Sequence, residues 1–222
     1  IQIPGDSHTY TSDDGAYKLE ERVERAYLGE DVPAELKQNR KAIMKKIAAE
    51  IMNRVATVGN APKLAEFTQN ELRNRDVMIW FADPNLQALV ESVHWDGSVA
   101  EDWTGDYLML VDATTGAPKR DPSMRRPLDH TVDPTAEKPV PTAPYPSKHT
   151  AAHGDWRTSD YHTYLRAYVP KGAKLLERKL VGSPLTDEAF GKTYFGVFVD
   201  VLIGGETQGM LKYELPETVT EN

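Results

Sequence analysis

Residues 161–176, YHTYLRAYVPKGAKLL, constrain the fold more than any other stretch. Tyr164, Arg166 and Tyr168 alternate with Leu165, Ala167 and Val169, the period of a strand whose two faces differ. Pro170, Lys171 and Gly172 supply turn chemistry, and a second strand starts beyond them. Two other runs, 106–113 (DYLMLVDA) and 193–203 (TYFGVFVDVLI), can pair with it. Together they predict a β domain in the second half of the chain.

The first half has a helical period. Residues 15–28 place Leu19, Val23, Ala26 and Tyr27 on one face, with Ser12 or Asp13 as the expected cap. A longer helix is predicted over about 33–58, with Pro33 in its first turn. Its stripe is Leu36, Ile43, Ile47, Ile51, Val55 and Val58, widened by Met44 and Ala48. A third helix is expected over 62–75 with Leu64, Phe67 and Leu72 inward. Residues 77–81 (VMIWF) are wholly apolar and of strand length, and predict a buried strand that includes Trp80. Asp83 and Pro84 open a fourth helix that runs to about Val93. Elements that cluster by type in this way predict an α+β fold. Residues 1–98 are read as a helical part packed on a C-terminal antiparallel β-sandwich of immunoglobulin-like character, 105–222.

Within the second half, 117–156 is set apart by holding eight of the fifteen prolines. Proline lacks the N–H that a ladder uses, so KPVPTAPYPSKHT reads as edge strand, polyproline-like segment or loop. Residues 193–203 and 209–215, joined through Gly204 and Gly205, read as a terminal hairpin.

At 222 residues the chain buries enough surface to fold without disulfides, and it has no cysteine. Thiolate catalysis, Cys-ligated zinc and iron–sulfur clusters are therefore excluded. A net charge of −8 with dispersed basic residues argues against nucleic-acid partners. No apolar run reaches the ~20 residues of a membrane span. The chain begins at Ile1 and reads as a piece of a longer protein, with any anchor upstream.

The order of these pieces resembles one bacterial family, the domain of unknown function numbered four-zero-one-two (DUF4012). The matching stretches are 77–97 (VMIWFADPNLQALVESVHWDG), 105–113 (GDYLMLVDA), 164–176 (YLRAYVPKGAKLL) and 191–215, which opens on Gly191-Lys192-Thr193 and turns at Gly205-Glu206-Thr207. Pro139, Pro141, Pro144 and Pro146 stand where the family has two alternating strands. The resemblance implies a membrane-anchored protein with its bulk outside the cytoplasmic membrane. It also implies a link to envelope polysaccharide, because the family's other half resembles the LytR–CpsA–Psr glycan phosphotransferases. The expected partners are envelope polysaccharide or another surface protein, with no cofactor.

His149, His153, Asp155 and His162 form the best metal-like set, but a common ring face for His149 and His153 needs a helix that Pro144, Pro146 and Gly154 oppose. Asp6, Asp13 and Asp14 lack the spacing of a calcium loop and are better read as turn and cap residues. Asp106 and Asp112 flank a strand, where solvent-facing charges are the simpler reading than acid–base work. No nucleophile elbow, phosphate loop or dinucleotide fingerprint is present. Trp103, Trp156, Tyr164 and Tyr168 are candidate carbohydrate contacts, because aromatic faces suit the C–H surfaces of sugars. The expected role is a non-catalytic structural or interaction module. The alternatives are the accessory half of a glycan phosphotransferase and a carbohydrate-binding module.

Overall fold

Strand-forming alternation and helix-forming stripes separate along this chain, and so does its structure. A computed structural model describes residues 1–3, 8–27, 39, 41–55, 59, 61–114, 121–133, 139–179 and 182–219. The chain divides into two units, 1–99 and 100–222. Together they make a mixed α+β protein with two antiparallel sheets.

In the first unit the described helices are α1 (Gly15–Tyr27), α2 (Ala42–Val55), α3 (Ala61–Arg73) and α4 (Pro84–Ser92). The turn that leads into α1 is closed by Thr11 rather than by Ser12 or Asp13. Its hydroxyl donates to Asp14 Oδ1 at 2.7 Å and accepts from the Asp14 N–H at 3.3 Å, while its carbonyl accepts from Gly15. The core of the unit joins Ile3, Tyr10, Val23 and Ile43, with Leu19 and Ile47 against them. Ile51 and Val55, lower on the predicted stripe, are exposed, as are Met44 and Phe67. The expected start of α2 at Pro33, with Leu36, and the expected Val58 lie outside the described residues, as does Asp6.

The apolar run 77–81 is not a buried strand. It makes no ladder, and Trp80 is 74 % exposed. Three single bonds hold it: Val77 N–H to the Glu71 carbonyl at 3.2 Å, Ile79 N–H to the Trp95 carbonyl at 3.0 Å, and Phe81 N–H to Gln87 Oε1 at 2.9 Å. A wholly apolar run carries no period, so length alone suggested burial here. Asp83 caps α4 as expected, accepting from the Asn85 and Leu86 N–H groups, with Pro84 behind it.

The second unit holds β1 (Met109–Thr114), β2 (Met124–Arg125), β3 (Thr131–Asp133), β4 (Val140–His149), β5 (Tyr161–Pro170), β6 (Lys174–Arg178), β7 (Leu185–Ala189), β8 (Lys192–Val201) and β9 (Glu206–Glu214). One sheet has the order β1-β5-β8-β7. The other runs β2-β4-β9-β6, with β3 also on β4. Strand β5 turns the alternation of its sequence into two faces. Tyr161, Thr163, Leu165, Ala167 and Val169 are buried inward, and His162, Tyr164, Arg166 and Tyr168 take the opposite face. Met124 and Tyr145 from one sheet meet Tyr161, Leu165, Val197, Val199 and Val201 from the other in a common cluster.

The proline-rich stretch is a paired strand with neighbours on both sides, not an edge or a loop. Residues 142–148 of β4 pair with β9, while β3 covers 140–142 and β2 covers 148–149. The His149 N–H goes to Gly205 on the β9 side, and the Thr150 N–H goes to Ser123 on the β2 side. By alternation the even-numbered N–H positions of β4 point away from β9. Pro144 and Pro146 therefore face the interval between β2 and β3, which residues 126–130 cross in the same register without ladder bonds. Pro141 lies one residue outside the β9 ladder. The three prolines stand where a ladder bond is not required, which the sequence pattern alone does not reveal.

Candidate functional site

The best candidate surface is the outer face of the four-stranded sheet. Register aligns its side chains in rows across the strands: Ala113, Tyr164 and Phe198; then Val111, Arg166, Gly196 and Leu185; then Met109, Tyr168, Tyr194 and Asp187. Tyr164 and Phe198 are ring neighbours at 5.0 Å, and Tyr168 and Tyr194 at 5.2 Å. Phe190 adds a third ring, 6.1 Å from Tyr168. Phe198 is 60 % exposed, and Phe190 and Leu185 are exposed beside it. Gly196 matters here because a Cβ at that position would lie 2.1 Å from the Tyr164 hydroxyl oxygen. The absent side chain lets the Tyr164 ring end rest over β8.

Polar groups border this face. His162 Nδ1 lies 2.5 Å from Asp200 Oδ1, and the Tyr194 hydroxyl donates to Asp187 Oδ2 at 3.4 Å. Desolvation, followed by the nearby Asp187, pushes the Tyr194 phenol above its ordinary value, so it remains a donor. Arg166 differs from these. It is half-buried, its Nε is shut off from solvent without an acceptor, and the guanidinium has no ion pair among the described residues.

The four expected carbohydrate contacts are not brought together. Tyr164 is half-buried on the face, but Tyr168 is only 2 % exposed beneath Tyr194 and Phe190 and offers no open ring. Trp103 lies before β1, its indole N–H donating to the Asp106 carbonyl at 3.0 Å. Trp156 lies in the loop between β4 and β5. Neither shares a strand with Tyr164.

The expected metal set is dispersed among structural tasks. His149 is 1 % exposed, with Nε2 3.1 Å from the Ser159 carbonyl and Nδ1 accepting from the Ala151 N–H at 3.3 Å. Both of its nitrogens are thus engaged by backbone. Asp155 accepts from the Arg157 and Thr158 N–H groups at 2.9 and 2.7 Å, and those bonds, Arg157 first, hold its carboxyl below the usual range. His153 is exposed, and His162 is held by Asp200. Among the described residues no group of three potential ligands converges on one point.

Asp112 overturns its expected reading, because it points inward rather than to solvent. The Tyr145 hydroxyl donates to Asp112 Oδ2, Arg126 lies 3.8 Å from that carboxylate, and Arg126 also pairs with Asp121 at 3.2 Å. Arg126 donates to the Tyr161 hydroxyl, and its guanidinium stands over the Tyr161 ring. Burial works against the Arg126 cation, but Asp112 and the two phenols outweigh it and raise its pKa. Asp106 lies 3.4 Å from His130 Nε2, which is 3.2 Å from the Tyr213 hydroxyl. Burial, then Asp106, pushes the Tyr213 phenol up, and its ring is fully enclosed. Both clusters tie segments together around closed groups.

The Gly191-Lys192-Thr193 motif is structural as well. Gly191 has φ +64, and a Cβ there would lie 3.0 Å from the Glu101 carbonyl oxygen. Buried Lys192 donates to the Ala100 and Glu101 carbonyls at 2.7 and 3.1 Å, and Thr193 Oγ1 accepts from the Gly172 N–H at 2.9 Å. Sequence reasoning missed Phe198, Tyr194 and Gly196 as site residues. Their alternation was visible in TYFGVFVD, but their place beside Tyr164 depended on the β5–β8 register.

No family model, curated protein or solved structure matches this chain.

Proposed function

We propose that this chain is a non-catalytic interaction module of a membrane-anchored bacterial cell-envelope protein, and that it works outside the cytoplasmic membrane by binding envelope polysaccharide. The observation that carries this reading is the outer face of the four-stranded sheet, with its paired rings and an exposed Phe198. Aromatic side chains on a broad sheet face suit the C–H surfaces of sugar rings. The ordered resemblance of 77–97, 105–113, 164–176 and 191–215 to the DUF4012 family supports the envelope setting and an anchor upstream. A β-sandwich of immunoglobulin-like character for 105–222 is supported by side chains of both sheets sharing one cluster.

Affinity electrophoresis of the 222-residue chain through a panel of bacterial envelope polysaccharides tests the reading. Retardation by at least one polysaccharide, lost in a folded Phe198→Ala variant, is the expected result. Binding that Phe198→Ala leaves intact would move the site elsewhere, and no retardation by any member of the panel would remove the polysaccharide role. A surface protein as partner is a second reading, favoured by Trp80, Leu86, Leu89 and Val93, which stand exposed around 77–93. Pull-down from detergent-extracted envelopes, compared with Trp80→Ser, separates it from the first.

A further inference from the structure

We infer that Arg166 makes the outer face of the four-stranded sheet selective for the carboxylate of a uronic-acid sugar; this rests on the polysaccharide reading above and names its ligand class. Arg166 lies between two aromatic pairs, Tyr164–Phe198 on one side and Tyr168–Tyr194 on the other. Val111 faces it across β1, and Gly196, followed by Leu185, faces it across β8. Each other charged side chain placed on this face by register has a partner of its own: His162 has Asp200, Asp187 has the Tyr194 hydroxyl, and Lys192 has the Ala100 and Glu101 carbonyls. The Arg166 guanidinium has none among the described residues, and its Nε is buried without an acceptor.

A buried donor left unpaired costs free energy that a ligand acceptor recovers. Guanidinium presents parallel N–H groups that match the two oxygens of a carboxylate. The Tyr164 hydroxyl, placed over Gly196 in the same trough, adds a further polar group within reach of a bound sugar. A monoanion fits this site better than a phosphate dianion, because one cation stands between two carboxylates, Asp187 and Asp200, on the same face. With a net charge of −8 the chain as a whole repels polyanions, so an acidic glycan must be held by a local site of this kind. The sugar ring lies against Phe198 and Tyr164 while its carboxylate meets Arg166.

The test titrates the 222-residue chain with tetragalacturonate and with its fully methyl-esterified form, which is the same sugar without the charge. Wild-type protein should bind the acid at least about tenfold more tightly. Arg166→Ala should abolish that preference while retaining the ester affinity, and Arg166→Lys, keeping the charge without the fork, should restore part of it. Thermal melts of each variant establish that the fold is intact. Equal binding of acid and ester by wild type overturns the inference, and so does a preference that survives in folded Arg166→Ala. Equal binding that is still lost in Phe198→Ala overturns only the uronate assignment and leaves the polysaccharide surface standing. If neither compound binds, the uronate assignment falls, and the polysaccharide panel alone then decides the broader reading.

Discussion

Tyr145 of β4 donates a 2.5 Å hydrogen bond to Asp112 of β1, joining the two sheets through one proton. The other carboxylate oxygen of Asp112 is buried without a partner, so this bond and the Arg126 guanidinium, 3.8 Å from Oδ2, are what offset the burial of the group. Tyr145→Phe keeps the ring and removes the donor. We expect a loss of about 1–3 kcal/mol in unfolding free energy, the usual cost of orphaning a buried acceptor. Urea denaturation monitored by tryptophan fluorescence measures it.

The alkaline limb of stability follows from the same phenol and two others. Burial is the largest cause raising the pKa of Tyr145, Tyr161 and Tyr213, so each holds its proton more tightly in the folded state. Their contribution is complete below the ordinary phenol value of about 10 and drains away as pH rises through the higher folded values. The urea midpoint should therefore fall above pH of about 10, and the double variant Tyr145→Phe, Tyr213→Phe should flatten that fall. An unchanged slope in the double variant would contradict the assignment.

Lys192 should behave as a structural cation. It sits 5.1 Å from the Tyr107 ring centroid while donating to two carbonyls of 100–101. Lys192→Met fills similar volume without the donors, and should cost about 3 kcal/mol. Faster amide exchange around 100–107, with β4 and β9 protected as before, is the accompanying signature.

His149 should not report on metal. Its two ring nitrogens are spent on the Ser159 carbonyl and the Ala151 N–H, so zinc added to the folded protein should leave the melting temperature unmoved. His149→Leu should cost about 2 kcal/mol through the freed backbone groups. A zinc-dependent rise in melting temperature that His149→Leu removes would restore the metal reading.

Gly196→Ala tests the outer face by shifting Tyr164 without replacing it. The new methyl must displace the Tyr164 hydroxyl end, which is a flexible side-chain tip, so stability should change by about 1 kcal/mol at most. Tetragalacturonate affinity should fall several-fold. Unchanged affinity would mean that the Tyr164 position over β8 does not matter to binding.

How far the sequence carried these conclusions depended on whether a pattern held its own period. The alternation in 161–170 told inside from outside because Leu165, Ala167 and Val169 contrast with Tyr164 and Arg166. VMIWF holds no contrast, so its exposure could not be read. The inward turn of Asp112 was hidden for another reason. In β1 it follows the same parity as Leu110, but its partners are Tyr145 of the other sheet and Arg126, just past β2, and neither pairs with β1. The outer-face site required the β5–β8 register, which puts Phe198 opposite Tyr164 and leaves Gly196 opposite Arg166.

β2 and β3 pair with β4 in one continuous register, so the link 126–130 runs opposite 143–147 without a ladder bond of its own. On the β4 side of that gap the N–H positions are Pro144 and Pro146, and in the continued register Pro127 stands opposite Pro146. With no donor on either side of that pair, two short ladders form where one long strand would otherwise run. The most proline-dense part of the chain thereby cuts its own neighbour into two strands.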